Sequence, residues 1–595
     1  MNSIPRDASA PTTPVSAASL PPELRKLVDQ VLKRCRLWPA ERKDVEAELA
    51  AHFADGLAAG QSVQELMAQF GDANAAAGLI SRAKIRLRPR SWHARRIVVR
   101  TTLAAAGLAI AVYGGLFARF FVGTPTITRD IRQEINAPIL AIPANQRAWS
   151  KYAQALAAIN IPKREKETDE SGATLPPLNA FDSIESARAN QAGIKLVREA
   201  AALPSMGYVV DDPASCEFVA RQTERLNGNK GWQTSHFSPP DASGPAYGIL
   251  LPQLAVFRNF ARLLAQDVDL ALQAGDGAAA GADLVAMARL AGQLRETKFL
   301  IVDLVSLAVG DLAMSKMREV LTRNPSLLSD QTLDQFAAAL SAIGPRQDLV
   351  RLDSELLGFD DVLQRSFTDD GRGDGRLTPA GIRLLSQMSM GSRPENNASV
   401  GSIALLPVAA TVGPGRKQVR DLYVQYLNQT KAWAERPAWL RGEATDFDAF
   451  AKLSSNEVSP FSFVALLIPA FRQTVFAADR FDTSRAATQT VIAIERFKRR
   501  TGHLPTSLDQ LVPGDLPALP RDLVDGQPLR YRTSGASYTL YSLGSDRKDN
   551  GGTPPTTESD ASGISNFNWP IDASKVNVDW VFFPFTKPAK TAPVP

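Results

Sequence analysis

The chain has 595 residues, with 67 Lys and Arg against 62 Asp and Glu and a net charge of +5. At about 150 residues per domain there is room for several cores. A composition of 44% hydrophobic and 22% charged residues speaks against wholesale disorder and against a polytopic membrane protein. Two cysteines exclude a disulfide scaffold and a four-cysteine zinc module, and four histidines, each alone in its segment, argue against a zinc hydrolase.

Residues 1–20 are rich in Ser, Pro and Ala and read as a disordered tail. From 21 to 83 the pattern is helical. Leu27 and Val31 share one face, Pro39 opens a second helix, and Val45, Leu49, Phe53 and Leu57 recur four apart. Gly60 ends that helix. Ser62 with Glu65 makes a capping box for a third, which Gly71-Asp72 stops. The residues Glu48-Leu49-x-x-His52, Gly60-x-Ser62 and Phe70-Gly71-Asp72 are the ones that carry a family likeness. On them, about 22–83 resembles the bacterial HTH-associated α-helical signalling domain, also called the permease prefix domain. That resemblance implies protein–protein signalling, with a cytoplasmic regulator as a partner. The stretch 61–80 has a superficial helix-turn-helix look but contains no Lys or Arg, so no nucleic acid is expected. Glu48 and His52 lie one helical turn apart and lack a third metal ligand.

From Ser81 to Arg100 there are eight Lys and Arg and no acid. This basic juxtamembrane segment, 84–100, precedes the uncharged run 101–118, which as a helix spans about 27 Å. With Arg100 and Arg119 snorkelling at its ends, 101–123 is expected to be a transmembrane helix. The charge asymmetry predicts a cytoplasmic N-terminus, with the bulk of the chain in the periplasm of a bacterial inner membrane. Without those eight charges, 59 basic residues face 62 acidic ones, so the cluster suits anionic membrane lipid better than nucleic acid. Cys35 and Cys216 would then lie on opposite sides of the membrane.

Residues 124–478 read as a large helical domain, interrupted by polar Pro/Gly-rich loops at 161–178 and 228–247. Within 251–322, small residues at helix contacts and the Gly275-Asp276 turn are similar to paired-helix units of the TPR kind. No period of about 34 residues is sustained, so a hairpin array and an irregular bundle both remain open. The loop 368–378 places Asp370, Asp374 and Gly375 as in a calcium-binding EF-hand, but Gly381 stands where the bidentate Glu is needed, and a Gly-rich turn is the better reading. The apolar stretch 461–471 is too short to span a bilayer and reads as a core helix or one lying against the membrane surface. His236 has no recognisable partner. The chain contains no nucleophile elbow, zinc-protease helix, P-loop or dinucleotide fingerprint, which makes an enzyme the weaker expectation.

In 479–586, Phe481, Ala487, Val491, Ile494 and Phe497 make the apolar face of a long helix that Gly502 and Pro505 end. Leu529–Tyr531 and Tyr538–Leu540 alternate as a hairpin, and Val578–Phe582 reads as a third strand. The motif order is Thr501-Gly502-His503-Leu504-Pro505, then Leu519-Pro520-x-Asp522, Gly526-Gln527-Pro528-Leu529 and Tyr541-Ser542-Leu543-Gly544-Ser545-Asp546. This order resembles the globular domain of the major pseudopilin of type II secretion systems. The pilin-type leader and its Glu are not found beside this domain, so pilus assembly is not implied. The resemblance implies a calcium loop, for which Asp546, Asp549, Asn550 and Asp560, with the Leu543 carbonyl, would be the ligands. Residues 587–595 read as a disordered tail.

The expected fold is therefore mainly α: a cytoplasmic helical bundle, one transmembrane helix, a large α-helical, TPR-like or irregular extracytoplasmic domain, and a small α+β pseudopilin-like end. The expected role is signalling or scaffolding through protein contacts with a cytoplasmic regulator, a periplasmic protein, or both. A membrane-tethered periplasmic hydrolase and an accessory of a type II secretion-like system are the alternatives.

Overall fold

The computed structural model describes residues 17–160, 181–227, 251, 253–389, 400–441, 468–544, 547–554 and 578–586. They are mainly helical, with one small antiparallel sheet. The chain divides into two units, Met1–Gly114 and Gly115–Pro595.

The first unit is built from α1 (Pro22–Arg34), α2 (Pro39–Ala58), α3 (Val63–Phe70) and α4 (Ala73–Leu87). Proline at the first helical position starts α1 and α2 without losing a hydrogen bond. Leu24, Leu27, Val28 and Val31 form one stripe and pack with Val45, Leu49, Phe53 and Leu66. The capping box forms: the Ser62 amide donates to the Glu65 carboxylate at 2.8 Å, and the Glu65 amide donates to Ser62 Oγ at 3.3 Å. Gly71 adopts a φ of 76°, which turns the chain straight into α4, where the Asp72 carboxylate accepts from the Ala75 amide at 3.2 Å.

The basic segment expected as a juxtamembrane stretch is helical nearly throughout. It closes α4 and opens α5 (Arg90–Val122). Arginine is a good helix former, so α5 starts well before the apolar run that revealed it. Between the two helices, Arg88 bonds Glu41 at 2.6 and 2.8 Å and stacks on the Trp38 and Trp92 rings, 4.5 and 4.6 Å from their centroids. The Arg88 hydrogen bond holds the Glu41 carboxyl down at about 2. Among the described residues α5 is the helix long and apolar enough to cross a membrane. Its Leu103, Leu108 and Ile110 are 67, 68 and 72% exposed.

The second unit takes up the end of α5 and continues through α6 (Ile131–Leu140), α7 (Trp149–Ala158), α8 (Ile184–Ala189), α9 (Gln191–Ala201) and α10 (Pro213–Asn227). Then come α11 (Gln253–Ala274), α12 (Gly277–Leu294), α13 (Leu300–Arg323) and α14 (Asp330–Ser341). After them follow α15 (Leu352–Ser366), α16 (Pro379–Ser389), α17 (Val400–Val412), α18 (Arg416–Glu435) and α19 (Ile468–Thr501). Helix α11 packs on α12, α12 on α13 and α14, and α13 on α19. The turn expected at Gly275-Asp276 joins α11 to α12: Gly275 has a φ of 69° and Asp276 caps α12 by accepting from the Ala279 amide at 2.9 Å. Tyr152 of α7 is fully buried against Phe257 and Phe260 of α11, and its hydroxyl donates to Gln293 of α12.

The sheet has the order β1 (Arg530–Ser534), β2 (Ser537–Ser542), β3 (Trp580–Phe583), all antiparallel, with Tyr531 opposite Leu540. The helix expected to open a separate C-terminal domain begins earlier, at Ile468, and runs straight through position 479. Its Phe481, Val491 and Ile494 share one hydrophobic cluster with Leu284 of α12, Met314 of α13 and Phe582 of β3. Glycine makes this approach possible. A Cβ on Gly310 of α13 would lie 2.6 Å from the Phe481 ring and 3.6 Å from Ala291 of α12. Arg318 of α13 crosses the same seam, donating to Ser484 Oγ at 3.0 Å and Thr488 Oγ1 at 2.5 Å, with its guanidinium 5.8 Å from the Phe582 ring. Burial pushes the Arg318 guanidinium down to about 10, partly opposed by Asp311. Overpacking so tight a contact costs about 1–3 kcal/mol. Gly310→Ala should lower the denaturation midpoint of the purified full-length chain accordingly, whereas a midpoint unchanged from wild type would mean that the seam has slack.

Candidate functional site

A polar concavity in the second unit lies where several segments converge. The turn after α14 brings Arg346, Gln347 and Asp348. The start of α15 brings Arg351 and Asp353, and the end of α18 brings Lys431 and Glu435. The turn after α18 brings Arg436, Trp439 and Arg441. Asp479 and Asp482 of α19 and Pro520, Arg521 and Leu523 complete it. The groove has two lobes of about 460 and 510 Å³ that share Arg346, Gln347, Ala434 and Glu435. Seven cationic and five acidic side chains line it.

Its floor is a buried ion pair. Asp479 is 7% exposed; it accepts from Arg346 Nε at 2.6 Å and is held by Arg441 from the other side. Arg441 also donates to the carbonyls of Arg436 at 2.7 Å and Ala434 at 2.8 Å, so it ties the turn after α18 to α19. Trp439 lies flat on Gly526, where any Cβ would come 2.6 Å from the indole. Near the other lobe, Arg351 bonds the fully buried Asp303 at 2.5 Å, and Arg295 lies 3.3 Å from the same carboxylate. Lys298, Arg436 and Arg521 remain exposed on the rim. Ser354 donates to the Arg351 carbonyl and Thr483 to the Asp479 carbonyl. The lining hydroxyls thus serve the local backbone, and no histidine is among the lining residues. Fixed guanidinium groups with cations at the rim suit recognition of an anionic surface better than acid–base chemistry.

A second cluster holds the most perturbed carboxyl of the described residues. Arg198 of α9 bonds Asp283 of α12 at 2.5 and 2.6 Å and Asp267 of α11 at 2.5 Å, and Gln191 donates to Asp267. One guanidinium thus faces two carboxylates that are 0 and 3% exposed. Burial pushes Asp283 up to about 8, against the pull of Arg198 and with the help of Asp267. Neither carboxylate lines the groove, and the cluster joins three helices.

The sequence-derived positions have the following places. Leu543 is buried; its amide donates to Asp522 at 2.9 Å and its carbonyl accepts from Ser542 Oγ at 3.1 Å. Asp549 accepts from Tyr541 at 2.9 Å, from the Gly551 amide at 2.9 Å and from Arg532 at 2.9 Å, so a guanidinium already neutralises it. Asp546, Asp560 and His236 lie outside the described residues. Among the described residues no group of three or more His, Cys, Asp or Glu is placed to hold a metal. In the 368–378 loop, Asp370 accepts from the amides of Arg372 and Asp374, Asp369 pairs with Arg416, and Asp374 accepts from the Lys417 amide, as a closed turn requires. Glu48 pairs with Lys84 at 3.0 Å, while His52 is exposed.

Two buried acids not considered for the calcium loop organise it. Asp522 accepts from the Val524 amide, Ser542 Oγ, the Leu543 amide and Arg530. Asp579 accepts from the amides of Asn550 at 3.2 Å and Gly552 at 2.7 Å. Asp522 was visible as part of the Leu519-Pro520-x-Asp522 motif. Asp479 and Asp283 had only one local signal, an acid set among residues of an apolar helical face.

The Asp283 shift has a sign in stability. Between the ordinary value of 3.8 and about 8, the folded chain keeps a proton that the unfolded chain has released. Stability should therefore fall as pH rises through that window, by the linkage of proton binding to folding. Denaturation of the full-length chain at about pH 5 and about pH 8 should show this fall, and Asp283→Asn should flatten it. An equal pH dependence in wild type and variant would show that Arg198 keeps both carboxyls ionised. Compared with protein-family models, curated proteins and solved structures, the chain matches none of them.

Proposed function

We propose that this chain is a single-pass inner-membrane protein that works in signalling or scaffolding by protein contacts. In this reading, the bundle of α1–α4 lies in the cytoplasm, α5 crosses the bilayer, and the second unit lies in the periplasm with its pseudopilin-like end. The observation that carries it is α5 itself. Its middle is a run of exposed apolar side chains, which water does not tolerate over this length, and its N-terminal flank holds a basic cluster without acids. The groove supports contact over catalysis, because its deepest acid is neutralised by two arginines. The likeness of 22–83 to a signalling domain agrees with this. The most perturbed carboxyl, Asp283, is enclosed among helices and does not line the groove.

Two measurements test the reading. A reporter active only in the periplasm should be active when fused after Pro595 and inactive when fused before residue 97. The reverse pattern would sink the orientation. A photo-crosslinking amino acid at Arg436 or Arg521, on the groove rim, should trap a discrete protein in native membranes, and the same probe at exposed Arg221 should not. Crosslinking that is equal at all three positions would argue against the groove as the contact site.

A further inference from the structure

We infer that the face of the second unit around the end of α5 rests on the lipid leaflet from which that helix emerges, with Ile301 and Val412 in contact with lipid. The inference rests on the reading of α5 as a membrane helix but is independent of which side the unit occupies.

The last turn of α5, which belongs to the second unit, is packed into it. Phe120 is 7% exposed and belongs to the same hydrophobic cluster as Leu300, Phe359 and Tyr423. The amide of Gly123 still bonds the carbonyl of Arg119 at 3.1 Å, and a Cβ on Gly123 would lie 3.5 Å from the Thr368 side chain. Five residues on, the amides of Thr128 and Arg129 both donate to Gln364 of α15 at 3.1 Å. A charged Arg119 head must reach the headgroups. Phe120 therefore lies within about one helical turn, about 5 Å, of the interface, and it carries its cluster there.

Exposed apolar side chains lie around that cluster, among charged residues that are paired with one another, such as Arg416 with Asp369 and Arg420 with Asp360. Phe121, Val122 and Ile127 are 57, 78 and 54% exposed on the chain leaving α5. Ile301, 51% exposed, follows Leu300 of the cluster, and Val412, 78% exposed, ends α17, whose Ala410 belongs to the cluster. Gly413, next to Val412, is linked through two hydrogen bonds to Thr368, which lies against Gly123 at the helix exit. Arg376 donates to the Gly413 carbonyl at 2.8 Å, and the Arg376 carbonyl accepts from the Thr368 amide at 2.9 Å. Helix α17 carries no charged residue along its 13 positions. Lipid is the occupant that continuity supplies: a bilayer that holds α5 up to Arg119 ends next to Phe120, whose cluster Leu300 and Ala410 share.

The test uses the full-length chain with Cys35→Ser and Cys216→Ser, reconstituted in nanodiscs of phosphatidylethanolamine and phosphatidylglycerol. Nitroxide labels are placed singly at Ile127→Cys, Ile301→Cys and Val412→Cys. All three positions are exposed, so labelling does not disturb the core. Oxygen, which concentrates in lipid, should relax the label at each position several-fold more than a water-soluble nickel complex does. Stronger relaxation by nickel at Ile301 and Val412 would overturn the inference, as would dipolar broadening that showed a second copy covering them. Carbonate extraction of the same variants separates the two readings. Release from membranes would defeat the membrane helix itself, whereas retention with water-exposed labels would defeat only the lipid-resting face.

Discussion

Gly310 lets the Phe481 ring lie directly on α13, and this close approach decides where the long helix α19 can run. Once α19 is there, Arg318 can reach across to Ser484 and Thr488, and Phe582 of the last strand can sit beside the guanidinium. A helix contact that excludes even a methyl group leaves no room for a competing packing of the same surfaces. The three-stranded sheet shares the hydrophobic core of α12 and α13. The segment expected to fold as a domain of its own thereby shares the core of a larger body.

The same logic places the groove. Its walls come from the ends of α14, α15 and α18, whereas its floor is Asp479 on α19. Arg346 and Arg441 hold that carboxylate from two sides, and the carbonyls of Ala434 and Arg436 fix Arg441. Each buried charge is thus paired and hydrogen-bonded, the condition under which burial is tolerated. Lys298, Arg436 and Arg521 face outward, beside the exposed acids Asp348, Asp353 and Glu435. The groove follows from how α19 is seated, not from a local motif.

Helix α5 imposes a different constraint. Its apolar side chains have no protein covering for most of its length, yet its last turn is anchored by Phe120 in the hydrophobic cluster of the second unit. In the first unit, Arg88 stacks between Trp38 and Trp92 and bonds Glu41, which fastens the end of α4 to the start of α2 in the same manner.

Periodicity and punctuation were enough for the local elements. The Ser62–Glu65 box, the Gly71-Asp72 and Gly275-Asp276 turns, the apolar face from Phe481 to Phe497 and the hairpin about Gly535 all lie within a few residues of chain, where backbone sterics and capping chemistry act alone. The uncharged run with its basic flank was equally legible, because hydropathy is a property of composition. The start of α19 at Ile468 was not, since no punctuation residue marks it at position 479, where a domain break was expected. Nor were the ion pairs Arg346–Asp479 and Arg198–Asp283, whose partners are separated by 133 and 85 residues. A charged residue on a helix carries no record of which distant charge will meet it. By itself, then, the sequence determined the helices, their caps and the apolar span, all of which depend on neighbours along the chain. Only the tertiary structure decided the shared core and the groove, because burial and charge pairing arise between segments that no local pattern relates.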